Sequence, residues 1–179
     1  MDNEQQKQIG WKNAEEKVYF KAQWGLALKL ITAFTTVLLF ALPSVLLFTA
    51  PRDFIPWIFL MPLTVVAVSS LFMIRGYVLT PDILYVRRLL WKTKVPLAGL
   101  YSAVVDTDAV KKSIRTCGNG GMFSFTGWFW NKQLGAFRAF ATNSKDVVVM
   151  RFGGGKVVVV TPERPGEFVD FLKTTNEHE

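Results

Sequence analysis

The chain has 179 residues, half of them hydrophobic, with 21 Lys and Arg against 14 Asp and Glu and a formal net charge of +7. A single cysteine excludes an internal disulfide and fits a reducing compartment, and one cysteine with one histidine cannot build a zinc site. The basic excess calls for a polyanionic neighbour, which an anionic membrane leaflet supplies at about 1 kcal/mol per well-placed cation.

Residues 1–25 form a polar segment carrying Lys7, Lys12, Lys17 and Lys21. Two apolar runs follow, at 26–48 and 55–74, broken only by Lys29 near the start of the first. At ~1.5 Å per residue these runs reach about 34 Å and 30 Å, against a hydrocarbon core of about 30 Å. They predict a transmembrane helical hairpin over 26–74. A signal peptide has a shorter apolar region behind a brief basic leader, and a domain of 179 residues rarely devotes two such unbroken runs to its core. Cations cluster before the first span and after the second (Arg75, Arg87, Arg88, Lys92, Lys94), whereas the connection Thr49-Ala50-Pro51-Arg52-Asp53 holds one. The positive-inside bias then places both termini in the cytoplasm, as a multi-pass protein of the inner membrane. Trp24 and Trp57 sit at span ends, where indole rings favour the headgroup zone. Pro43 and Pro62 are expected to bend their helices, and Pro56 to occupy a first turn. Neither span contains an acidic residue or a histidine, which argues against a transport path; the span hydroxyls read as helix-contact positions.

Beyond Arg75 the hydrophobic period changes to that of strands. Gly76–Thr80, the turn Pro81-Asp82 and Ile83–Arg88 spell a hairpin, and Leu89–Pro96 a turn with a third strand. Leu97–Val105 suits a helical turn or a strand. Val147–Phe152, three glycines and Lys156–Thr161 spell a second hairpin, its glycines supplying positive φ. That glycine run joins two strands, so it is no phosphate loop. Thr161 is positioned to cap a closing helix with Pro162 first and an apolar stripe of Phe168, Phe171 and Leu172; 174–179 is a polar tail holding His178. The sum is an α+β protein: a two-helix transmembrane hairpin, then a bent β-sheet or barrel capped by a C-terminal helix.

Tyr77-Val78-Leu79-Thr80-Pro81-Asp82-Ile83-Leu84-Tyr85-Val86-Arg87-Arg88, followed by Val95-Pro96-Leu97, resembles the opening of bacterial pleckstrin-homology-like (PH-like) domains. Val157–Thr161, Pro162-Glu163 and Phe168 resemble the ending of a branch whose members carry two N-terminal spans, and Cys117–Gly121, Gly127 and Gly135–Thr142 resemble its middle. The resemblance covers roughly 75–173. It implies a cytoplasmic PH-like domain with a seven-stranded bent sheet and a capping helix, and it carries over no catalytic residues.

Between the hairpins, glycines alternate with Phe123, Phe125, Trp128, Phe129, Trp130, Phe137 and Phe140, with Lys111, Lys112, Arg115, Lys132 and Arg138 around them. Three readings arise: a long insertion between strands whose rings complete the core, a membrane-dipping loop, or a stacking surface for single-stranded nucleic acid. Nucleic acid is not the expected partner, because a tethered domain already faces the bilayer. Lys111, Lys112, Arg115, Trp128, Phe129, Trp130, Lys132 and Arg138 are the candidate lipid- or partner-binding residues. Asp106 and Asp108 read as a solvated loop rather than an acid–base pair. No catalytic constellation, cofactor motif or metal set is present, so the expected function is not enzymatic. It is a membrane-anchored binding or scaffold module that presents a cytoplasmic surface for protein–protein contact or self-assembly. The alternative is a sensor of anionic lipid headgroups through 111–140.

Overall fold

The computed structural model describes residues 17–46, 48 and 51–176. Lys7, Lys12, Thr49, Ala50 and His178 lie outside the described residues.

Strand β1, Val18–Lys21, precedes helix α1, Leu26–Leu46. A 3-10 turn, Arg52–Phe54, leads into helix α2, Ile55–Leu71. Nine strands follow: β2 Gly76–Leu79, β3 Ile83–Arg87, β4 Lys92–Pro96, β5 Leu100–Asp106, β6 Ile114–Gly120, β7 Phe125–Asn131, β8 Gly135–Ala141, β9 Val147–Phe152 and β10 Val157–Val160. Helix α3, Pro165–Asn176, closes the chain.

Both apolar helices form where the runs predict, but shorter. Helix α1 ends at Leu46, and over Leu26–Val45 its mean hydropathy is 1.9, so it is long and apolar enough to cross a membrane. The run expected to span 55–74 is helical for 17 residues only, about 25 Å at ~1.5 Å each, and by length falls below that standard. The reason is local: Phe72 and Met73 turn back onto Ser69 and Ser70, and Ile74 is taken into the sheet core at 1 % exposure. Pro43 and Pro62 lie inside α1 and α2. The helices touch each other and leave most of their side chains uncovered, including Leu30, Phe34 and Val37 on α1 and Trp57, Met61 and Leu63 on α2.

The strands form two sheets, of order β1-β2-β3-β4 and β5-β9-β10-β8-β7-β6. The hairpins expected at 76–88 and 147–161 are present, the second turning at Gly154 with φ 74°. The resemblance implies seven strands, and ten are present among the described residues. Residues 114–141 form three successive antiparallel strands instead of a loop, and β1 is contributed from ahead of the helices.

That contribution changes the domain's composition. β1 pairs antiparallel with β2 from Val18↔Leu79 to Lys21↔Gly76. The chain continues through an Ala22↔Pro162 bridge, and the Gly25 amide donates to the Thr142 carbonyl at 2.9 Å. Phe20, 2 % exposed, stands edge-on to Phe168 with ring centroids 5.1 Å apart. A segment that reads as a polar leader therefore fills the core.

The main core lies between the sheets and under α3. Phe20, Tyr77, Leu79, Leu84 and Val86 meet Phe140, Met150, Val158 and Val160, with Phe168, Val169 and Leu172 from the helix. On the other face of the larger sheet, Phe137, Ala139, Val147, Val149, Val157 and Val159 gather around Ala109 and Leu134. β10 and β9 as far as Met150 are covered on both faces, which is why they read as unbroken apolar runs. Helix α3 starts at Pro165, three residues later than Thr161 and Pro162 suggest. Pro162 is bridged to Ala22, the Glu163 amide donates to the Lys21 carbonyl, and the Thr161 hydroxyl accepts from the Thr142 amide, so these residues are already engaged.

Candidate interaction surface and the helix–domain junction

The helices meet the domain at a small set of buried polar contacts. The last carbonyls of an α-helix lack intrahelical partners. At the end of α2, the Phe72 carbonyl accepts from Arg88 Nη1 and from Ser124 Oγ, each at 3.0 Å. Arg88 is only 7 % exposed. Its Nε donates to Thr93 Oγ1 at 3.2 Å, and its guanidinium lies 5.7–5.8 Å from the rings of Phe72, Trp91 and Phe140. Burial, with the Arg138 charge adding to it, lowers the Arg88 pKa from its ordinary value. Cation–ring contacts and a helix carbonyl offset part of that desolvation.

On α1 the contact is reciprocal. Thr32 Oγ1 donates to the Gly121 carbonyl at 3.2 Å and accepts the Phe123 amide at 3.1 Å. Leu28 and Thr32 are buried, and Trp24 stands edge-on to Phe123 at 6.1 Å. The tip of the β6–β7 hairpin is thus wedged between the start of α1 and the end of α2. Thr36, Ser44, Thr64 and Ser70 donate to carbonyls of their own helices, so Thr32 alone of these hydroxyls reaches the domain.

Close strand approach shapes the rest of that hairpin. Gly118 and Gly127 are register partners with φ of 114° and 140°. A Cβ on Gly118 would stand 2.3 Å from the Thr126 carbonyl oxygen, and one on Gly127 2.1 Å from that of Cys117. Only glycine fits either position.

The eight candidate residues do not converge. Trp128 opposes Arg138 across β7–β8 and Cys117 across β6–β7, while Trp130 opposes Ala136 and Ile114, so these share one face. Trp128, Trp130 and Ile114 are exposed on it. Arg138 leans back over the Phe140 ring at 4.9 Å, toward Arg88. Phe129 and its register partner Arg115 lie on the opposite face, where Phe129 stacks on Phe137 at 5.8 Å and belongs to the second core. Lys111, Lys112 and Lys132 occupy turns at the hairpin end remote from the helices, about 25 Å along the strands at ~3.3 Å per residue. Lys111 is paired with Asp108 at 2.7 Å. Asp106 accepts from the Asp108 amide and from Gln133 Nε2, so the two aspartates organise a turn.

The reading of the 118–140 rings as core completion holds for Phe137 and Phe140, both buried, and in part for Phe123, Phe125 and Phe129. It fails for the two tryptophans. The junction residues Arg88, Thr32 and Ser124 were not among the candidates; an arginine next to Leu-Leu-Trp and a hydroxyl on the first turns of an apolar helix were the available signals. Tyr77 is a second polar hub. Fully buried, it donates to the Phe140 carbonyl at 2.6 Å and accepts the Thr161 amide at 3.3 Å, and burial raises its pKa to about 12. Among the described residues no three His, Cys, Asp or Glu side chains are grouped to hold a metal ion, and Cys117 is exposed and free.

No curated protein and no solved structure matches the chain. The family model described as Bacterial PH domain matches residues 75–176, from the residue before β2 to the last residue of α3. That match takes in more than half of the sequence and both sheets except β1, and the chain belongs to the bacterial PH domain family.

Proposed function

We propose that this protein is a non-catalytic, membrane-anchored binding or scaffold module: α1 and α2 cross the bilayer as a hairpin, and the PH-like domain stands on the cytoplasmic leaflet, offering a surface to a protein partner or to further copies of itself. One observation carries the anchoring. β1 lies before the helices and β2 after them, and the two are hydrogen-bonded neighbours. A chain tied in this way returns to the side it left, so the segment between crosses an even number of times or not at all. Helix α1 has the length and apolarity to cross, and its surface is largely uncovered. If α1 crosses, α2 must cross back, and its 17 helical residues are extended by the preceding 3-10 turn. The core position of Phe20 also opposes a cleaved signal sequence, since cleavage after α1 would remove a core ring.

The exposed Trp128–Trp130 face, with Arg138 at its margin, supports the partner reading, because tryptophan and arginine dominate protein contact sites. The headgroup-sensor alternative draws on Lys111, Lys112, Arg115, Lys132 and Arg138, which lie on two faces and a remote end of the sheet and form no common pocket. A photo-crosslinking residue at Trp128, introduced in cells and irradiated in intact membranes, tests the proposal. The expected product is a discrete protein adduct that is lost with the probe moved to Lys132. Labelling of lipid alone would overturn the partner reading.

A further inference from the structure

The turn joining β3 to β4 has an unusual composition for its place. Arg88, Leu89, Leu90 and Trp91 close it, with the Arg88 amide donating to the Trp91 carbonyl at 2.9 Å. Tight turns ordinarily carry Gly, Asn, Asp, Ser or Pro, whose backbone preferences or short polar side chains suit them. Here the tip is Leu-Leu-Trp, and these side chains are 39 %, 74 % and 39 % exposed. Leu90 therefore contributes nothing to the core.

The turn is nevertheless held in one place. Trp91 stands edge-on to Phe72 with centroids 5.4 Å apart, and Arg88 donates to the Phe72 carbonyl. Phe72 is the residue at which α2 ends. The apolar surface of α2 thus continues, through Phe72 and Trp91, onto Leu89 and Leu90. Behind the tip, Arg87 and Lys92 are register partners, both exposed, and Lys94 follows on the same strand. Like charges directly opposed across strands are destabilising. None of the three has an acidic partner among the described residues. An apolar tip backed by a collar of cations is the pattern of a segment seated at the boundary of acyl chains and phosphates.

We propose that the Leu89–Trp91 turn inserts into the leaflet from which α2 emerges, as a third attachment beside the two helices, with Arg87, Lys92 and Lys94 at the phosphates. The occupant is the bilayer rather than a second protein, because the turn's apolar surface is continuous with that of a helix read as spanning it. A third attachment restricts the tilt of the domain, and with it the direction in which the Trp128–Trp130 face points. The inference rests on the membrane-hairpin reading above.

Single cysteines in the full chain test it, with Cys117→Ser as background, each carrying a polarity-sensitive fluorophore and reconstituted in phosphatidylcholine–phosphatidylglycerol vesicles. Leu90→Cys reports the turn and Leu38→Cys the middle of α1. Lys156→Cys reports the β9–β10 turn, at the end of those strands opposite Thr142 and the start of α1. The expected result is blue-shifted emission from position 90, quenched by lipids labelled near the headgroup, with position 38 quenched by lipids labelled deeper and position 156 quenched by neither. A water-exposed position 90 beside a quenched position 38 overturns the insertion and leaves the hairpin standing. A water-exposed position 38 overturns the hairpin reading, and the insertion with it.

Discussion

The β6–β7 hairpin has two ends in opposite physical situations. At its tip, Ser124, Gly121 and Phe123 exchange hydrogen bonds with Phe72 and Thr32 between two helices, with the Ser124 and Thr32 side chains buried. At its other end, Lys111 and Asp108 form a pair whose side chains are 68 % and 63 % exposed. By charge alone the second end looks the more functional, with Lys111, Lys112 and Lys132 in its turns. Energetically the order reverses. Buried polar groups that lose a partner cost about 1–3 kcal/mol each, whereas exposed pairs contribute little. The lesson is that in this molecule charge density marks the solvated end, and buried hydrogen bonds mark the end where the helices are joined to the domain.

The contrast can be broken or sharpened by substitution, with stability read as unfolding in detergent micelles. The largest effect is expected at Phe20. Phe20→Ala empties a core position on β1 and should cost about 3–5 kcal/mol. A loss below about 1 kcal/mol would mean that β1 is peripheral and does not tie the chain ahead of α1 to the side on which β2 lies.

Arg88→Ala comes next, at about 2–3 kcal/mol, since it strips a charged donor from the Phe72 carbonyl and uncovers three rings. Arg88→Lys should recover little, because an ammonium cannot serve Thr93 and Phe72 together while lying flat on aromatic rings. Full rescue by lysine, seen as an unchanged unfolding midpoint, would reduce the junction to a simple charge effect.

Tyr77 gives a pH signature at the same end of the domain. Its hydroxyl has a folded pKa raised to about 12 from an ordinary value of 10.0, chiefly by burial, so the neutral form is the one the fold stabilises. That stability is fully present below pH 10 and is lost as pH rises from 10 toward 12, by roughly 2–3 kcal/mol. Tyr77→Phe should cost about 1 kcal/mol at neutral pH and abolish this part of the alkaline slope. An identical slope in the two proteins would show that the hydroxyl does not titrate in the folded state's favour.

The smallest effect belongs to the exposed end. Asp108→Ala should change stability by less than about 0.5 kcal/mol, and less still in high salt. A larger loss would erase the difference between the two ends.

Much of this architecture is readable without coordinates. Alternating and continuous apolar runs locate β2, β3, β9 and β10, because a strand's burial pattern is written directly in its side chains. Apolar length locates α1 and α2, and the stripe of Phe168, Phe171 and Leu172 locates the packed face of α3. These properties are local, and local properties survive reading one residue at a time.

What needed the folded chain was every feature made by residues distant in sequence. Val18-Tyr19-Phe20 are residue types that favour strands, but so short a run names no partner; it pairs where it does because β2 offers an open edge and Phe168 a place for the Phe20 ring. Pro162 reads as a helix start and becomes a bridge because Ala22 reaches it first. The eight candidate residues are neighbours along the chain, but strand pleating and a hairpin more than 20 Å long (at ~3.3 Å per residue) divide them between two faces and a remote end. Arg88 becomes a junction residue only when a helix carbonyl and three rings, drawn from separate elements, close around it. Periodicity carries the identity of the elements, and long-range pairing decides which of them share work.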